Sequence, residues 1–340
     1  MKKLVSVALV GVVAALAVAG AAAPAPKQTT SLTIYSGRDR VLVEPILNKF
    51  QQQTGIQLNV RYASSTALAT ALVEEGSSSP ADIFWSTEPG TLGLVSGRAL
   101  LKRLPVATTS KVPAKYSTRS RRWVGTSGRS RVLAYNTNLL RPAQLPKTIW
   151  RLTNSSWKGK IGIAPTNGSF QAFLGAAIHM HGEARMRNWL ESLKANDVAF
   201  YPNNTTVVQA VGRGDVQVGL VNHYYRYLLL ATDPNLPVRN HWFQPNDPGS
   251  LVLAAGVGIV SASEKNAASL RFVNFLLGKW AQRFIARGPG AAEYPLVKGP
   301  APRPGLPGIR TIKGPKYNLG RLAADLPRAV QLLLEVGFIK

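Results

Sequence analysis

Residues 31–62 read SLTIYSGRDRVLVEPILNKFQQQTGIQLNVRY, and this stretch decides the fold class. It opens with a short apolar strand, Leu32 to Tyr35, that ends at a Ser-Gly turn. A helical pattern follows from about Val41 to Gln53, with apolar residues on one face and Gly55 as its stop. Residues 56–62 then alternate between apolar and polar, as a half-buried strand does. This strand–helix–strand order is typical of an α/β sheet.

The same alternation continues along the rest of the chain. Ser261 and Glu264 have the spacing of a capping box ahead of another helix. We therefore predict a mixed α/β fold with helices on both faces of the sheet. Further strands are expected at 81–85, 131–136, 160–164, 216–221 and 251–260, and further helices at 65–75, 183–193 and about 319–336.

The N-terminus has the pattern of a secretory signal. Lys2 and Lys3 precede an unbroken apolar and small-residue stretch over residues 4–19, and three alanines then offer small-residue cleavage sites. An uncleaved anchor is the alternative, because the stretch is just long enough to span a membrane. The alanines run directly into Pro24, which favours a cleaved signal over residues 1–23.

Composition bounds the class of the exported protein. The chain has no cysteine, so it offers neither a lipidation site nor a disulfide, and a soluble periplasmic protein is expected. The roughly three hundred residues after the signal are enough for two domains. The net charge is +25, yet the basic residues are scattered, with one dense run at 119–122. Without a nucleic-acid-binding signature, and with export, the pattern predicts no nucleic-acid partner.

Two adjacent tyrosines, Tyr224 and Tyr225, follow the apolar strand at 216–221. A phenolate oxygen is a hard ligand, and hard oxygen donors suit highly charged cations such as Fe³⁺. The alternative is aromatic packing where a buried strand ends, which is the commoner use of such a pair.

A second candidate site lies at residues 166–169, Thr166-Asn167-Gly168-Ser169, which we call the anion loop. This segment follows a predicted strand and opens a helix near Phe170. Free backbone N–H groups at a helix N-terminus attract phosphate or carbonate. An ordinary strand-to-helix turn would have the same composition, so the loop alone leaves both readings open.

Taken in order, several motifs resemble the periplasmic ferric-iron-binding proteins that serve ABC importers. They are residues 32–38 (LTIYSGR), 75–84 (EGSSSPADIF), 127–132 (SGRSRV), 165–170 (PTNGSF), 222–225 (NHYY), 247–251 (DPGSL) and 292–296 (AEYPL). The resemblance implies a two-lobed periplasmic binding protein fold, type II-like, with mixed sheets and hinge strands between the lobes. It places the first lobe at about 31–131 plus 255–303, and the second at 132–254 plus 304–340.

The resemblance also implies roles for individual residues. Tyr224 and Tyr225 would bind Fe³⁺, and Asn204 and Asn222 would help the anion loop to hold a synergistic phosphate or carbonate. The first lobe departs from the family pattern: Asp39 stands in the place of a ligating histidine, and Thr87, followed by Glu88, in that of a glutamate. We therefore expect Asp39, ahead of Glu88, to supply the remaining oxygen ligand, because it takes the histidine's place in a loop that aims at the cleft. The alternatives are that Asp39 is only a helix N-terminal acid ahead of Val41 and that the first lobe supplies no ligand.

The expected function is binding and transport rather than catalysis. The protein would act as a monomer and deliver Fe³⁺ to an ABC permease in the inner membrane. One alternative keeps the fold but replaces iron with an anion such as a phosphonate or a sugar phosphate. A hydrolase is disfavoured, because the chain lacks a Gly-x-Ser-x-Gly motif and has only four histidines. Among them only His223, beside the tyrosines, is a candidate base.

Overall fold

The computed structural model describes Met1 and residues 30–340. The predicted signal over residues 1–23 therefore lies outside the described residues, apart from Met1. In the part of the chain that the structure describes, no helix has the length and apolarity needed to cross a membrane.

The sheet confirms the predicted mixed α/β architecture. The strands are β1 (Ser31–Ser36), β2 (Gln57–Tyr62), β3 (Ile83–Ser86), β4 (Val124–Asn136), β5 (Ile161–Ile163), β6 (Ala199–Phe200), β7 (Val218–Asn222), β8 (Val238–His241) and β9 (Val252–Ile259). Their order is β2-β1-β3-β9-β4-β7-β5-β6, and β8 pairs with β4 off this path. Strand β1 is parallel to β2 and β3, whereas β9 is antiparallel to β3 and β4.

The helices cover both ends of this sheet. They are α1 (Arg40–Thr54), α2 (Ser65–Glu75), α3 (Pro89–Gly97), α4 (Val106–Thr109), α5 (Gly168–His181), α6 (Glu183–Ala195), α7 (Asn204–Arg213), α8 (Tyr225–Leu230), α9 (Asn266–Leu276), α10 (Lys279–Arg287) and α11 (Leu322–Glu335). Aromatic side chains pack edge to face in the core on each side. The Phe50 and Phe272 rings lie 5.1 Å apart, and the Phe173 and Trp189 rings 6.0 Å apart.

Strand β4 joins the two halves of the sheet. Its first half, to Ser130, pairs with β9, and its second half, from Arg131, pairs with β7 and β8. The sequence predicted only residues 131–136 as strand, which was too short. The missed half contains Gly125 and Gly128, which are weak strand formers. A Cβ at Gly128 would lie 2.5 Å from a side-chain carbon of Ile309, so tertiary packing overrides local propensity here.

The predicted capping box ahead of α9 was also wrong. Helix α9 begins at Asn266, and no side chain caps its N-terminus. The Ser261 hydroxyl donates instead to the Ala99 carbonyl, at 2.7 Å. A hydroxyl with a competing backbone acceptor does not act as a cap, and spacing alone does not reveal that competition.

Candidate metal centre

The tyrosine pair lies in the turn between β7 and α8. Strand β7 ends at Asn222, and α8 begins at Tyr225. Successive side chains in a strand point to opposite faces, but a turn lets them lie side by side. The Tyr224 and Tyr225 rings are stacked, with centroids 4.3 Å apart and planes 29° apart. Both rings are buried, with 2% and 8% of their surface exposed. The structure therefore presents two neighbouring phenols in an enclosed place.

Burial decides the charge of Tyr224 when no cation is present. It raises the pKa of Tyr224 well above its ordinary value, and the nearby Tyr225 and Glu293 raise it further. Arg129 and Arg38 act in the opposite direction but are outweighed. Tyr224 is thus a neutral phenol at physiological pH, and a strongly charged cation would be needed to make it a phenolate.

Arg129, on β4, is the residue that the sequence reasoning missed. Its side chain is 1% exposed, and none of its three guanidinium nitrogens has a hydrogen-bond partner among the described residues. Burial lowers its pKa, while Tyr224 and Glu293 favour its charged form. A buried, unpaired cation is costly, so this geometry calls for an anion beside the tyrosines. The available signal was a basic residue inside a stretch of small residues, Ser127-Gly128-Arg129-Ser130.

A buried ion pair lies on the other side of the tyrosines. Arg38 Nη2 donates to Glu293 Oε2 at 2.6 Å, and both side chains are almost fully enclosed. Burial alone would raise the pKa of Glu293, but Arg38, hydrogen bonding with Ser127 and the charge of Arg129 together lower it by more. Glu293 is therefore a carboxylate, and it is hydrogen-bonded to Arg38. Arg129 has no such partner among the described residues.

The anion loop and both predicted asparagines meet at the hydroxyl of Ser169. Asn167 Oδ1 accepts from the Ser169 N–H at 3.0 Å and from the Ser169 hydroxyl at 2.6 Å. The side-chain amides of Asn204 and Asn222 donate to the same hydroxyl oxygen, at 3.4 and 3.1 Å. Each of these two buried amides keeps its oxygen without a partner among the described residues. Gly168 is the first residue of α5.

Two residues of this region depart from the expected picture. Thr166 is exposed and makes no side-chain hydrogen bond to the Ser169 group. Arg131, which the sequence reasoning did not single out, is buried beside the loop. Its guanidinium donates to the Ser169 hydroxyl at 3.4 Å and to the Leu220 carbonyl at 2.8 Å, and burial lowers its pKa to about 9.

The two carboxylates expected to act from the first lobe, Asp39 and Glu88, occupy different environments. Asp39 caps α1, where its side chain accepts from the Val41 N–H at 3.1 Å. Glu88 is fully buried and caps α3, accepting from the Gly90 and Thr91 N–H groups. Burial raises the pKa of Glu88 above its ordinary value. A Cβ at Gly168 would lie 3.9 Å from Glu88 Cγ, so Glu88 borders the anion loop.

His223 is buried between backbone groups. Its Nδ1 accepts from the Ser130 N–H at 3.2 Å, and its Nε2 lies 2.7 Å from the Ala292 carbonyl. Burial lowers the pKa of His223 to about 4. Both ring nitrogens are engaged, so this histidine holds the turn and is not placed to take a proton from a substrate.

Among residues 30–340, no cluster of three or more His, Cys, Asp or Glu side chains could hold a metal ion. A cation at this centre would have to use the phenols. The centre combines an enclosed pair of phenols with buried arginines and a helix N-terminus, and it lies between two parts of one α/β sheet. These features are typical of a protein that binds a small charged ligand. The chain belongs to the bacterial extracellular solute-binding proteins, whose family profile matches residues 78–308.

Individual relatives agree with this assignment. The chain is 32% identical to an Fe(3+)-binding periplasmic protein of Serratia marcescens, over 93% of both chains. It is 31% identical to a major ferric iron-binding protein of Neisseria meningitidis serogroup B, over 94% of this chain and 96% of the relative. The structure of iron-bound HitA from Pseudomonas aeruginosa superposes with a TM-score of 0.85, at 32% identity, covering 91% of this chain and 99% of that one. The fold is therefore the two-lobed fold of periplasmic iron-binding proteins.

Proposed function

We propose that this protein captures Fe³⁺ in the periplasm, together with a synergistic anion, and delivers it to an ABC permease in the inner membrane. The observation that carries the proposal is the stacked, buried pair Tyr224 and Tyr225 beside the unpaired Arg129. Relatives named as ferric-iron-binding proteins over nearly the full chain support it. In this reading the protein is a carrier that binds and releases its cargo without converting it.

The two phenols would supply the hard oxygen donors that Fe³⁺ prefers. Because burial keeps Tyr224 protonated without metal, iron binding must release protons, and affinity must fall as the pH falls. A 3+ ion at two phenolates leaves one positive charge, and the three buried arginines outnumber the single carboxylate of Glu293. A bound anion would therefore offset part of the positive charge of the group. Arg129 supports such an anion from β4, and the group around Ser169 supports it from α5.

For the first-lobe ligand we propose Glu88 ahead of Asp39. Glu88 lies at the anion loop, whereas the described contact of Asp39 is with the N-terminus of α1. Serving as a ligand would require Glu88 to leave its capping position on α3, and burial already disfavours its charged form. The alternative is that Glu88 stays a helix cap and iron is held by the phenols, the anion and water.

Iron titration of the purified apoprotein, with citrate as competitor, tests the proposal. Tyr224→Phe and Tyr225→Phe should each weaken iron binding by more than about 100-fold. Each removes an oxygen that would contact the iron, whereas loss of a residue that only supports a ligand costs about 10- to 100-fold. Wild type loaded with iron should be coloured by phenolate-to-iron charge transfer, and the double variant colourless. A double variant that keeps both colour and affinity would refute the metal centre.

The same titration tests which carboxylate, Glu88 or Asp39, binds iron. If Glu88 binds iron, Glu88→Gln should weaken binding and move acid release to higher pH, since a weaker site loses iron to protons sooner. Asp39→Asn is the matched control, because it also removes one carboxylate charge and keeps the shape of a helix cap. If Glu88→Gln and Asp39→Asn both behave like wild type, the first lobe supplies no ligand. Weakening in Asp39→Asn alone would instead identify Asp39 as the ligand.

An organic or inorganic anion as the sole cargo is the second candidate, and the unpaired Arg129 favours it equally. Metal analysis of protein purified without chelators separates the two. Stoichiometric iron supports the ferric reading. A metal-free protein that binds phosphate or a sugar phosphate, with affinity unchanged in the tyrosine variants, supports the anion.

A further inference from the structure

His223 joins the tyrosine turn to other segments of the chain. It stands between Asn222, the last residue of β7, and Tyr224. Its side chain is fully buried. The His223 backbone N–H donates to the Ser130 carbonyl at 3.0 Å, and its backbone carbonyl accepts from the side-chain amide of Asn240 at 2.7 Å. Both backbone groups of His223 are therefore fixed immediately before the first of the two phenols.

The two ring nitrogens of His223 require a single tautomer. Nδ1 lies 3.2 Å from the Ser130 backbone nitrogen, whose N–H can only donate, so Nδ1 must be the nitrogen without a hydrogen. Nε2 lies 2.7 Å from the Ala292 carbonyl, which can only accept, so Nε2 must carry the hydrogen. Both nitrogens are occupied in this way, so His223 itself has no free lone pair to offer to a metal ion.

The partners of the ring lie where the two halves of the sheet meet. Ser130 is the last residue of β4 that pairs with β9. Ala292 lies in the loop after α10, where Tyr294 exchanges two backbone hydrogen bonds with Gly128 of β4, each 2.8 Å long. In the proposed division of the chain, both partners belong to the first lobe and His223 belongs to the second. The imidazole would therefore link the two lobes beside the crossing strand.

This link reaches the phenols through a row of aromatic rings. The Tyr294 ring stacks on His223, with centroids 4.6 Å apart. The His223 ring meets the Tyr224 ring edge to face, with centroids 5.9 Å apart and planes 88° apart. Tyr224 stacks in turn on Tyr225. The position of the Tyr224 ring therefore depends on the position of the imidazole.

We propose that His223 is a positioning residue for iron, which orients the Tyr224 phenol and ties it to the first lobe. The inference rests on the proposed function, because it concerns how a ligand of that iron is held. Residues that orient a metal ligand contribute about 10- to 100-fold to affinity. Loss of either hydrogen bond of the ring would leave a buried backbone group of Ser130 or Ala292 unpaired, and the turn would have to move to satisfy it.

Iron titration and visible spectra of His223→Asn and His223→Gln test the proposal. The asparagine oxygen can replace Nδ1 as acceptor, and the glutamine amide nitrogen can replace Nε2 as donor, so each variant keeps one of the two hydrogen bonds of the ring. Each should bind iron about tenfold or more weakly than wild type. Each should also shift the phenolate-to-iron charge-transfer band. A residue that only stabilised the fold would lower the melting temperature and leave the band of the loaded protein unchanged.

His241→Gln is the matched control. The His241 ring also meets a backbone carbonyl, with Nε2 at 3.0 Å from Pro146, but alternation along β8 places it on the opposite face from Asn240. This variant should keep the affinity and the band of wild type. If both His223 variants also keep them, His223 does not position the phenol.

Nitrogen NMR of the wild-type apoprotein tests the same inference without metal and without a variant that must fold. The His223 ring should carry its hydrogen on Nε2, and a hydrogen on Nδ1 would overturn the proposed link. A wild type that takes up no iron would refute the proposed function and this inference together. Variants of His223 that behave like an iron-binding wild type would refute this inference alone.

Discussion

Arg129 brings to the tyrosine pair a charged guanidinium that has no hydrogen-bond partner in the described part of the protein. Its neighbour Arg38 has Glu293 at 2.6 Å, and Arg131 has hydrogen bonds to Ser169 and Leu220. Three buried arginines around two phenols would repel one another unless anions enter with the cargo. At the residue scale, an anion that binds with the cargo is therefore an electrostatic requirement of the proposed function.

This requirement predicts the behaviour of Arg129→Gln. The uncharged side chain cannot pair with an anion, so iron binding should weaken by about 10- to 100-fold, the range found for supporting residues of metal sites. Its dependence on added phosphate or carbonate should also disappear. Iron titrations with and without each anion measure both effects.

Two controls accompany Arg129→Gln. Arg129→Lys keeps the charge without the guanidinium fork, so it should retain part of the anion dependence. Thermal melting of the Gln apoprotein should show no loss of stability, because the variant removes an unpaired buried charge. If iron binding by Arg129→Gln depends on added anion as strongly as in wild type, Arg129 does not bind the anion.

Sequence reasoning could find the tyrosines and the anion loop because each is a local pattern. Tyr224 and Tyr225 are adjacent, and Thr166 to Ser169 are consecutive. It could not find Arg129, because a basic residue in a basic chain carries no signal until its burial and lack of a partner are known. The first-lobe ligand was left open between Asp39 and Glu88 for the same reason: their environments depend on tertiary contacts.

At the scale of elements, the long helices and apolar strands followed from periodicity alone. Helix α2 spans the predicted 65–75, and α6 contains the predicted apolar face of 183–193. The first half of β4 did not follow from periodicity. Its glycines, Gly125 and Gly128, allow three residues to pack close to the backbone: Tyr116, Leu296 and Ile309. That close approach is a tertiary fact, which a local window of sequence cannot contain.

The buried Asp247 joins two segments that are distant in sequence. Its carboxylate accepts from the Gly249 N–H at 2.8 Å, in the turn before β9, and from the Ile149 N–H at 3.2 Å. Burial raises the pKa of Asp247 to about 6 despite these hydrogen bonds. A carboxyl with a raised folded-state pKa binds protons more tightly when folded. Its contribution to stability is therefore greatest below its unfolded pKa and declines as the pH rises to about 6.

The stability difference between wild type and Asp247→Asn should thus change with pH. The asparagine does not titrate, so wild type should lose about 2–3 kcal/mol relative to the variant between pH 4 and pH 7, because one pKa unit corresponds to about 1.4 kcal/mol. Denaturant unfolding of both proteins at each pH measures this difference. A difference that stays constant or grows in favour of wild type would contradict the raised pKa.

At the scale of the whole molecule, α11 connects the two proposed lobes. It packs against α3, which lies in the proposed first lobe, and against α5, which lies in the second. Both contacts use glycine: a Cβ at Gly93 would lie 2.6 Å from Ala323 Cβ, and a Cβ at Gly175 would lie 3.0 Å from the Asp325 carbonyl oxygen. Close packing of α11 therefore holds together α3, whose N-terminus Glu88 caps, and α5, which the anion loop opens.

Gly93→Ala should hold the lobes apart. The added methyl group meets Ala323 at a distance that packed carbon atoms do not reach, so α11 or α3 must shift, and overpacking of this kind costs about 1–3 kcal/mol. If closure provides ligands or excludes water, iron affinity should fall about tenfold, equivalent to about 1.4 kcal/mol. Small-angle scattering of the iron-loaded protein should show a larger radius of gyration than that of loaded wild type.

Gly97→Ala is the matched control, because Gly97 lies on the same helix and a Cβ there meets nothing within 4 Å. Both variants gain the helix propensity of alanine, up to about 1 kcal/mol, so only the contact with α11 distinguishes them. Gly97→Ala should bind iron and close like wild type. If the two variants give the same affinity and the same radius of gyration, closure of the lobes does not depend on the packing of α11. The strands β4 and β9 alone would then act as the hinge.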